Sequence, residues 1–228
     1  MYRLRKMQGS LQAGRNRMME ILYEDLSVIV CIKPRGVSSQ ADKNGGESMI
    51  TLLQAHTGGE IYPVHRLDKE TGGIMVYAKT QKAAASLSRD IAEHRFYKEY
   101  IALVHGVPER EEDTLFDLLF HDRAKNKSYA VKRERAGVKK AELEYKLLET
   151  KEIKGEKYSL LRVILHTGRT HQIRVQFGSR KMPLSGDRKY GAKDNFNALG
   201  LWANKLKFTH PETGETKEFT AETDFINF

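Results

Sequence analysis

The sequence predicts an α+β protein with a mixed, largely antiparallel sheet flanked by helices. Stretches of strand character outnumber those with helical spacing, and no regular strand–helix–strand rhythm runs along the chain. Ala141, Leu143, Tyr145 and Leu147 also alternate with Glu and Lys, as in a strand with one solvated face. With 228 residues, 39% hydrophobic and 30% charged, the chain can bury a sizeable core in one domain or two small lobes.

Residues 1–20 carry Arg3, Arg5, Lys6, Arg15 and Arg17 against Glu20 alone and read as a basic N-terminal extension; residues 21–228 read as the folded domain. Leu26 to Ile32 is a β-branched run closed by the turn Lys33-Pro34-Arg35-Gly36. Residues 42–46 read as a loop, followed by a short helix starting near Glu47 or Ser48. Ile74–Ala78 is a strand. Thr80 is placed to cap a helix over 81–94, where Ala84, Leu87 and Ile91 recur at helical spacing. Phe96 to His105 is a strand ending at Gly106-Val107-Pro108, and residues 109–138 are polar and highly charged. After the alternating strand, Tyr158–His166 forms another, and Thr170 is expected to cap a helix over 171–179 with Ile173 and Phe177 inward. Leu199–Phe208 and Lys217–Ala221 close the chain as a strand pair.

The formal net charge is +9, from 39 Lys and Arg against 30 Asp and Glu, which favours polyanionic partners. Cys31 is the only cysteine, so no internal disulfide forms, in keeping with a reducing compartment. No apolar run reaches membrane-spanning length, and no long apolar segment follows the basic N-terminus as in a secretory signal. A cytoplasmic monomer is expected, with no membrane and no protein partner implied. Phosphate-cradling glycine loops, clustered metal ligands and a Gly-x-Ser-x-Gly elbow are all absent.

What remains is a carboxylate in a basic setting. His65-Arg66-Leu67-Asp68-Lys69-Glu70-Thr71-Gly72-Gly73 leads into the strand Ile74–Ala78, and Thr167-Gly168-Arg169-Thr170-His171-Gln172-Ile173-Arg174 forms a second island. Alone, an Asp before Thr-Gly-Gly is ordinarily a turn residue. An ionised, positioned carboxylate can also act as a nucleophile toward a sugar carbon. Glycosidases need a second carboxyl because a sugar alkoxide leaves badly without an acid. A uracil base leaves as an anion delocalised over its carbonyls, so one carboxylate suffices for exchange at a uridine.

Together these islands resemble the RluA-type family of RNA pseudouridine synthases. Lys33-Pro34-x-Gly36 looks like the family's early turn. Tyr62-Pro63-Val64-His65-Arg66-Leu67-Asp68 resembles its central motif, which implies Asp68 as the catalytic residue. Lys98-Glu99-Tyr100-Ile101-Ala102-Leu103-Val104-x-Gly106 resembles the strand whose Tyr stacks on the target base, implying that role, and C5-proton acceptance, for Tyr100. Thr167–Arg174 implies that Arg174 pairs with Asp68. Gly186-Asp187-x-x-Tyr190-Gly191 and Leu206-x-Phe208-x-His210-Pro211 resemble two C-terminal motifs.

The pattern departs where Gly72 takes the place of the family's Ser, and the chain leaves no room before Leu22 for an S4-type RNA-binding domain. It thus looks like the short, single-domain members. The resemblance implies isomerisation of uridine in structured RNA, rRNA or tRNA, with no cofactor and no metal, and Arg66 helping to hold or replace a flipped base. Lys132, Arg133 and Arg135, in the basic segment 123–140, are expected to contact RNA phosphates. By pattern alone Tyr100 is a core residue, Arg174 a surface charge and residues 123–140 a solvated loop. The competing reading is a catalytically silent RNA-binding or ribosome-assembly module.

Overall fold

The computed structural model describes residues 19–41 and 46–223. Most of the expected basic extension and of the 42–46 loop lies outside the described residues. The described strands join into an eleven-stranded sheet, with β1 (Glu20–Glu24), β2 (Val28–Lys33), β3 (Tyr62–Pro63), β4 (Gly72–Ala78), β5 (Tyr97–His105) and β6 (Glu112–Asp122). The remaining strands are β7 (Lys127–Val131), β8 (Val138–Ile153), β9 (Glu156–Leu165), β10 (Leu201–Thr209) and β11 (Thr216–Thr220). The path runs β1-β2-β4-β10-β5-β9-β8-β6-β7, with β11 on β10 and β3 on β4. Every named pairing is antiparallel except β4 with β10. The expected α+β class therefore holds.

Helices α1 (Met49–Thr57), α2 (Gln81–Ala92) and α3 (Gln172–Ser179) cover the two faces. Met49 and Leu53 of α1 and Ile173 and Phe177 of α3 pack with Ile29, Cys31, Tyr77, Tyr100 and Leu161 on one face. Ala83 and Leu87 of α2 pack with Val28, Val30, Ile74, Val76 and Phe208 on the other. Covered on both sides, β2 as far as Ile32 and β4 from Ile74 are continuous apolar runs, not alternating.

Ser48 and Thr80 cap α1 and α2 as expected. Leu26 stands outside β2 and is 89% exposed, because the bend that lets Asp25 bind the Ser27 and Val28 amides precedes the strand. The polar, highly charged residues 109–138 hold two strands, and part of the 123–140 segment read as a solvated loop is strand β7. The two strands build the β6–β7 hairpin, in which Leu115 and Leu119 turn inward among polar neighbours. Thr170 does not cap α3: the N-cap is His171, at φ 55°, with no side-chain cap bond.

The parallel β4–β10 contact sets the spacing of the centre. Gly72 lies beside Trp202 and Gly73 beside Ala203, Ala203 pairs onward with Tyr100, and Tyr100 with Val163. Neighbouring strands are about 4.8 Å apart, so Tyr100 is about 10 Å across the sheet from the start of β4. A Cβ at Gly73 (φ 122°) would fall 2.2 Å from the Ala203 carbonyl oxygen. At Gly72 it would fall 2.3 Å from the Trp202 ring, which fills the space a serine side chain would need. We expect Gly72→Ser to lower unfolding stability by about 1–3 kcal/mol through overpacking. In a Trp202→Leu background at least half of that loss should disappear, measured by urea denaturation of all four proteins in the cycle. Additive effects would show that the ring does not decide this position.

Candidate active site

Asp68 lies on the turn between β3 and β4, and that turn is anchored from below. Lys33 is fully buried, and its Nζ donates to the carbonyls of Pro34 (2.9 Å), Val37 (2.8 Å) and Lys69 (3.2 Å). The Gly36 amide donates to the same Lys69 carbonyl at 2.7 Å. Ser39 Oγ donates to the Leu67 carbonyl (2.8 Å) and accepts the Leu67 amide (3.0 Å). The Thr71 amide closes the turn on the Asp68 carbonyl at 3.0 Å. An ammonium buried among carbonyls replaces its lost hydration with fixed dipoles, so the Lys33-Pro34 turn serves as the seat of the Asp68 turn.

α3 supplies the opposite wall. Gln172 Oε1 accepts from Thr167 Oγ1 (2.7 Å) and the Arg169 amide (3.0 Å), while its Nε2 donates to the Glu142 carbonyl (3.0 Å). This ties the loop after β9 to the helix it enters. Gln172 through Phe177 are all buried, so Arg174 is an interior cation and not a surface charge.

Arg174 joins the two walls. Its Nε and Nη2 donate to the two oxygens of Asp187 at 2.7 and 2.8 Å, and its Nη1 donates to Asp68 Oδ2 at 3.2 Å. Burial pulls the Arg174 pKa down, but the bonds to Asp187 and the charges of Asp187 and Asp68 outweigh it and raise the pKa. His171 Nε2 faces the same Asp68 oxygen at 3.8 Å. Burial holds His171 down at about 4, so it is neutral, and burial pushes the Tyr190 phenol up to about 12, so it keeps its proton. The Tyr190 oxygen accepts the Ser128 amide (2.8 Å) and is hydrogen-bonded to His171 Nδ1 (2.9 Å). With the Tyr190 hydroxyl as donor in that pair, the imidazole carries its proton on Nε2, the nitrogen on the Asp68 side. Among the described residues, Asp68 Oδ1 has no hydrogen-bond partner.

Asp68 stands between two cavities. One of about 440 Å³ is lined by Lys98, Tyr100, Arg169 and Ile173 as well as Asp68 and Arg174. The other, about 640 Å³, runs past Ser38, Lys69, Arg188 and Lys189. The exposed Arg66 borders both. Tyr100 belongs to the core and also lines the first cavity; burial, then the Asp68 charge, raises its pKa, so it is a neutral phenol. Lys132, Arg133 and Arg135 are exposed on the β7–β8 loop and line neither cavity. Arg135 stacks over Phe120 at 4.9 Å.

Asp187 and Tyr190 complete the site without having been given a role from sequence, together with His171, which the sequence suggests as a structural hydrogen-bonder. Two of them sit in Gly186-Asp187-x-x-Tyr190-Gly191 and the third in the Arg174 island, so motif membership was the signal. No group of three or more His, Cys, Asp or Glu among the described residues is placed to hold a metal ion. No helix among them is long and apolar enough to cross a membrane.

The eleven-stranded sheet with its three helices has a pseudouridine-synthase fold. It superimposes on human RNA pseudouridylate synthase domain containing 1 with a TM-score of 0.78, at 23% identity over 95% of this chain and 88% of that one. The chain belongs to the RNA pseudouridylate synthase family, whose sequence pattern matches residues 27–179. A protein of Bacillus subtilis (strain 168) named uncharacterized RNA pseudouridine synthase YlyB is 35% identical, over 89% of this chain and 68% of its own length. The ribosomal large subunit pseudouridine synthase C of Buchnera aphidicola subsp. Schizaphis graminum (strain Sg) is 31% identical, over 92% of this chain and 69% of its own length. Pseudouridine synthases are isomerases.

His65, like His171, is neutral in the fold: burial, then the charge of Lys98, hold it down at about 3. Both titrate near 6.5 once the chain unfolds. Between that pH and their folded values the unfolded state binds more protons, so stability rises with pH there. Urea midpoints should fall steadily as pH drops from about 6.5 to about 5, at a slope approaching one proton per histidine. A flat midpoint across that window would show that the two rings are not held neutral.

Proposed function

We propose that this protein converts a flipped-out uridine in structured RNA to pseudouridine, with Asp68 as the reacting carboxylate. The observation that carries the reading is the division of labour on Asp68: Arg174 holds Oδ2, which leaves Oδ1 for the substrate. Oδ1 closes on C1′ as the C1′–N1 bond breaks and its electron pair stays with the uracil. After the base turns, C5 bonds to C1′ and the pair of the C1′–Oδ1 bond returns to Asp68. C5 then loses its proton and N1 gains one, which makes the product an isomer and calls for no cofactor. Tyr100 offers its ring face to the base; as a neutral phenol, it accepts the C5 proton only while passing its own onward.

A carboxylate at the bottom of a cleft reaches C1′ only after the nucleotide leaves its stack, so loops and bulges, where unstacking costs least, are the preferred targets. Arg66, at the border of both cavities, is placed to hold the displaced base or fill its gap. The Buchnera relative is named for the large ribosomal subunit, which makes rRNA the first substrate to test, with tRNA second. The cytoplasm, reducing and rich in both, is the proposed compartment.

Asp68→Asn keeps the size of the side chain and removes its charge. The variant should fold and bind RNA, yet release tritium from a 5-tritiated uridine transcript slower by several orders of magnitude, because a nucleophile's role is all-or-none. Chelators should leave the native rate unchanged. Tritium release by Asp68→Asn near the native rate would return Asp68 to the role of a turn residue and leave an RNA-binding module.

Lys132, Arg133 and Arg135 lie outside the cavities, so their proposed phosphate contacts fall on RNA flanking the target. Each contact should steepen the fall of log affinity with log salt by about 0.7. Neutralising all three together should flatten that slope; an unchanged slope would remove the β7–β8 loop from the interface.

A further inference from the structure

Lys98 lies two residues before Tyr100 on β5, so the two side chains leave the same face of the sheet. Both line the Asp68 cavity. Lys98 Nζ reaches the loop after β9, 3.6 Å from where a Cβ on Gly168 would stand. The Lys98 side chain is half-buried and, among the described residues, its ammonium has no hydrogen-bond or ion-pair partner. Two other cations of this lining have partners: buried Arg174 has Asp187 and Asp68, and half-buried Arg169 has the Lys140 carbonyl at 2.8 Å. Partial burial lowers the Lys98 pKa, and an ammonium that no protein group pairs is open to an acceptor on a ligand. Such groups concentrate where a substrate completes the pairing.

Two kinds of negative charge could complete it, a phosphate or the uracil ring. Phosphates suit the cavity borders, where Arg66, Lys69, Arg188 and Lys189 stand. Lys98 instead projects from the sheet floor beside Tyr100, the residue that offers a face to the base. From this placement, and resting on the pseudouridine synthase reading above, we propose that Lys98 is a further catalytic residue. Its ammonium hydrogen-bonds to a ring carbonyl oxygen of the uracil and stabilises the anion formed when the C1′–N1 bond breaks. The pair from that bond spreads from N1 onto the ring carbonyls, where the ammonium meets it without giving up a proton. When C5 bonds to C1′ the pair enters the new bond and the contact relaxes. Because the charge exists mainly at the transition state and after it, Lys98 acts on rate more than on binding.

The test compares Lys98→Met and Lys98→Arg on transcripts carrying 5-tritiated uridine or 5-fluorouridine at the target position. Fluorine withdraws electrons and stabilises the uracil anion by itself, so this substrate should depend less on the protein's cation. For Lys98→Met, single-turnover tritium release should slow about 10²-fold while RNA affinity changes by less than about twofold. With 5-fluorouridine, loss of the N1-linked nucleoside, followed by chromatography after nuclease digestion, should slow by less than about tenfold. Lys98→Arg should recover most of the rate on both transcripts. Met keeps the length of the half-buried side chain and removes a charge that no protein group among the described residues pairs, so the variant should fold.

An unchanged rate, or an equal loss on the two transcripts, would overturn the proposal. A weaker affinity with a flatter salt slope would make Lys98 a phosphate anchor instead. Asp68→Asn, run alongside, separates the two levels. If it is inactive on both transcripts while Lys98→Met matches the native protein, only the role of Lys98 fails; if it stays active, the underlying reading fails.

Discussion

One buried guanidinium organises this molecule. Arg174 can stay in the interior only if its charge is met by geometry good enough to replace water. Asp187 meets most of it with two parallel bonds and leaves Nη1 to reach Asp68. That single arrangement joins α3, the loop at 186–191 and the turn before β4. It also differentiates the two oxygens of Asp68, one engaged and one open. Stripping Asp187 away would leave most of that buried charge uncompensated, a loss of about 3–5 kcal/mol in comparable pairs. The pairing is therefore structural and chemical at once.

Several of the motifs around the site do their work through shape. Lys33 spends its charge on backbone carbonyls and so positions the Asp68 turn without approaching the cavity. Gly72 and Gly73 are glycines because β10 runs parallel to β4 there and brings Trp202 and the Ala203 backbone into the space of a side chain. At Gly72 the indole ring occupies the space that a larger side chain would need. Arg35, with its guanidinium 5.5 Å from the centre of that ring, donates to the Leu199 carbonyl at 2.5 Å and continues the same seam.

The charge pattern suits a polyanion threaded past a carboxylate. Asp68, Asp187, Arg174 and neutral His171 together carry more negative than positive charge. Cations stand around that centre on both sides: Arg66, Arg169 and Lys98 along one cavity, and Lys69, Arg188 and Lys189 along the other. In the reaction proposed above, a phosphate backbone would gain from this ring of cations while a base enters between them.

Much of this was legible in the sequence because it is local. Period-2 alternation marked β8, helical spacing with Thr80 marked α2, and the Thr-Gly-Gly turn flagged Asp68; family resemblance then implied Arg174 as its partner and Tyr100 as a ring for the target base. Less legible were β6 and β7, whose inward positions are diluted by polar residues, and the start of α3, where His171 takes a left-handed conformation that bonds from its ring and the Gln172 side chain make tolerable. Asp187 as the main holder of Arg174, the neutral His171 relayed from Tyr190, and the unpaired Lys98 could come only from the tertiary structure. Asp68 and Arg174 are 106 positions apart in the chain. Which oxygen is engaged, which nitrogen carries the proton and which cation is left without an acceptor depend on burial and on approaches within a few ångströms. Residue types and spacing state what chemistry is available; only packing decides which atoms meet.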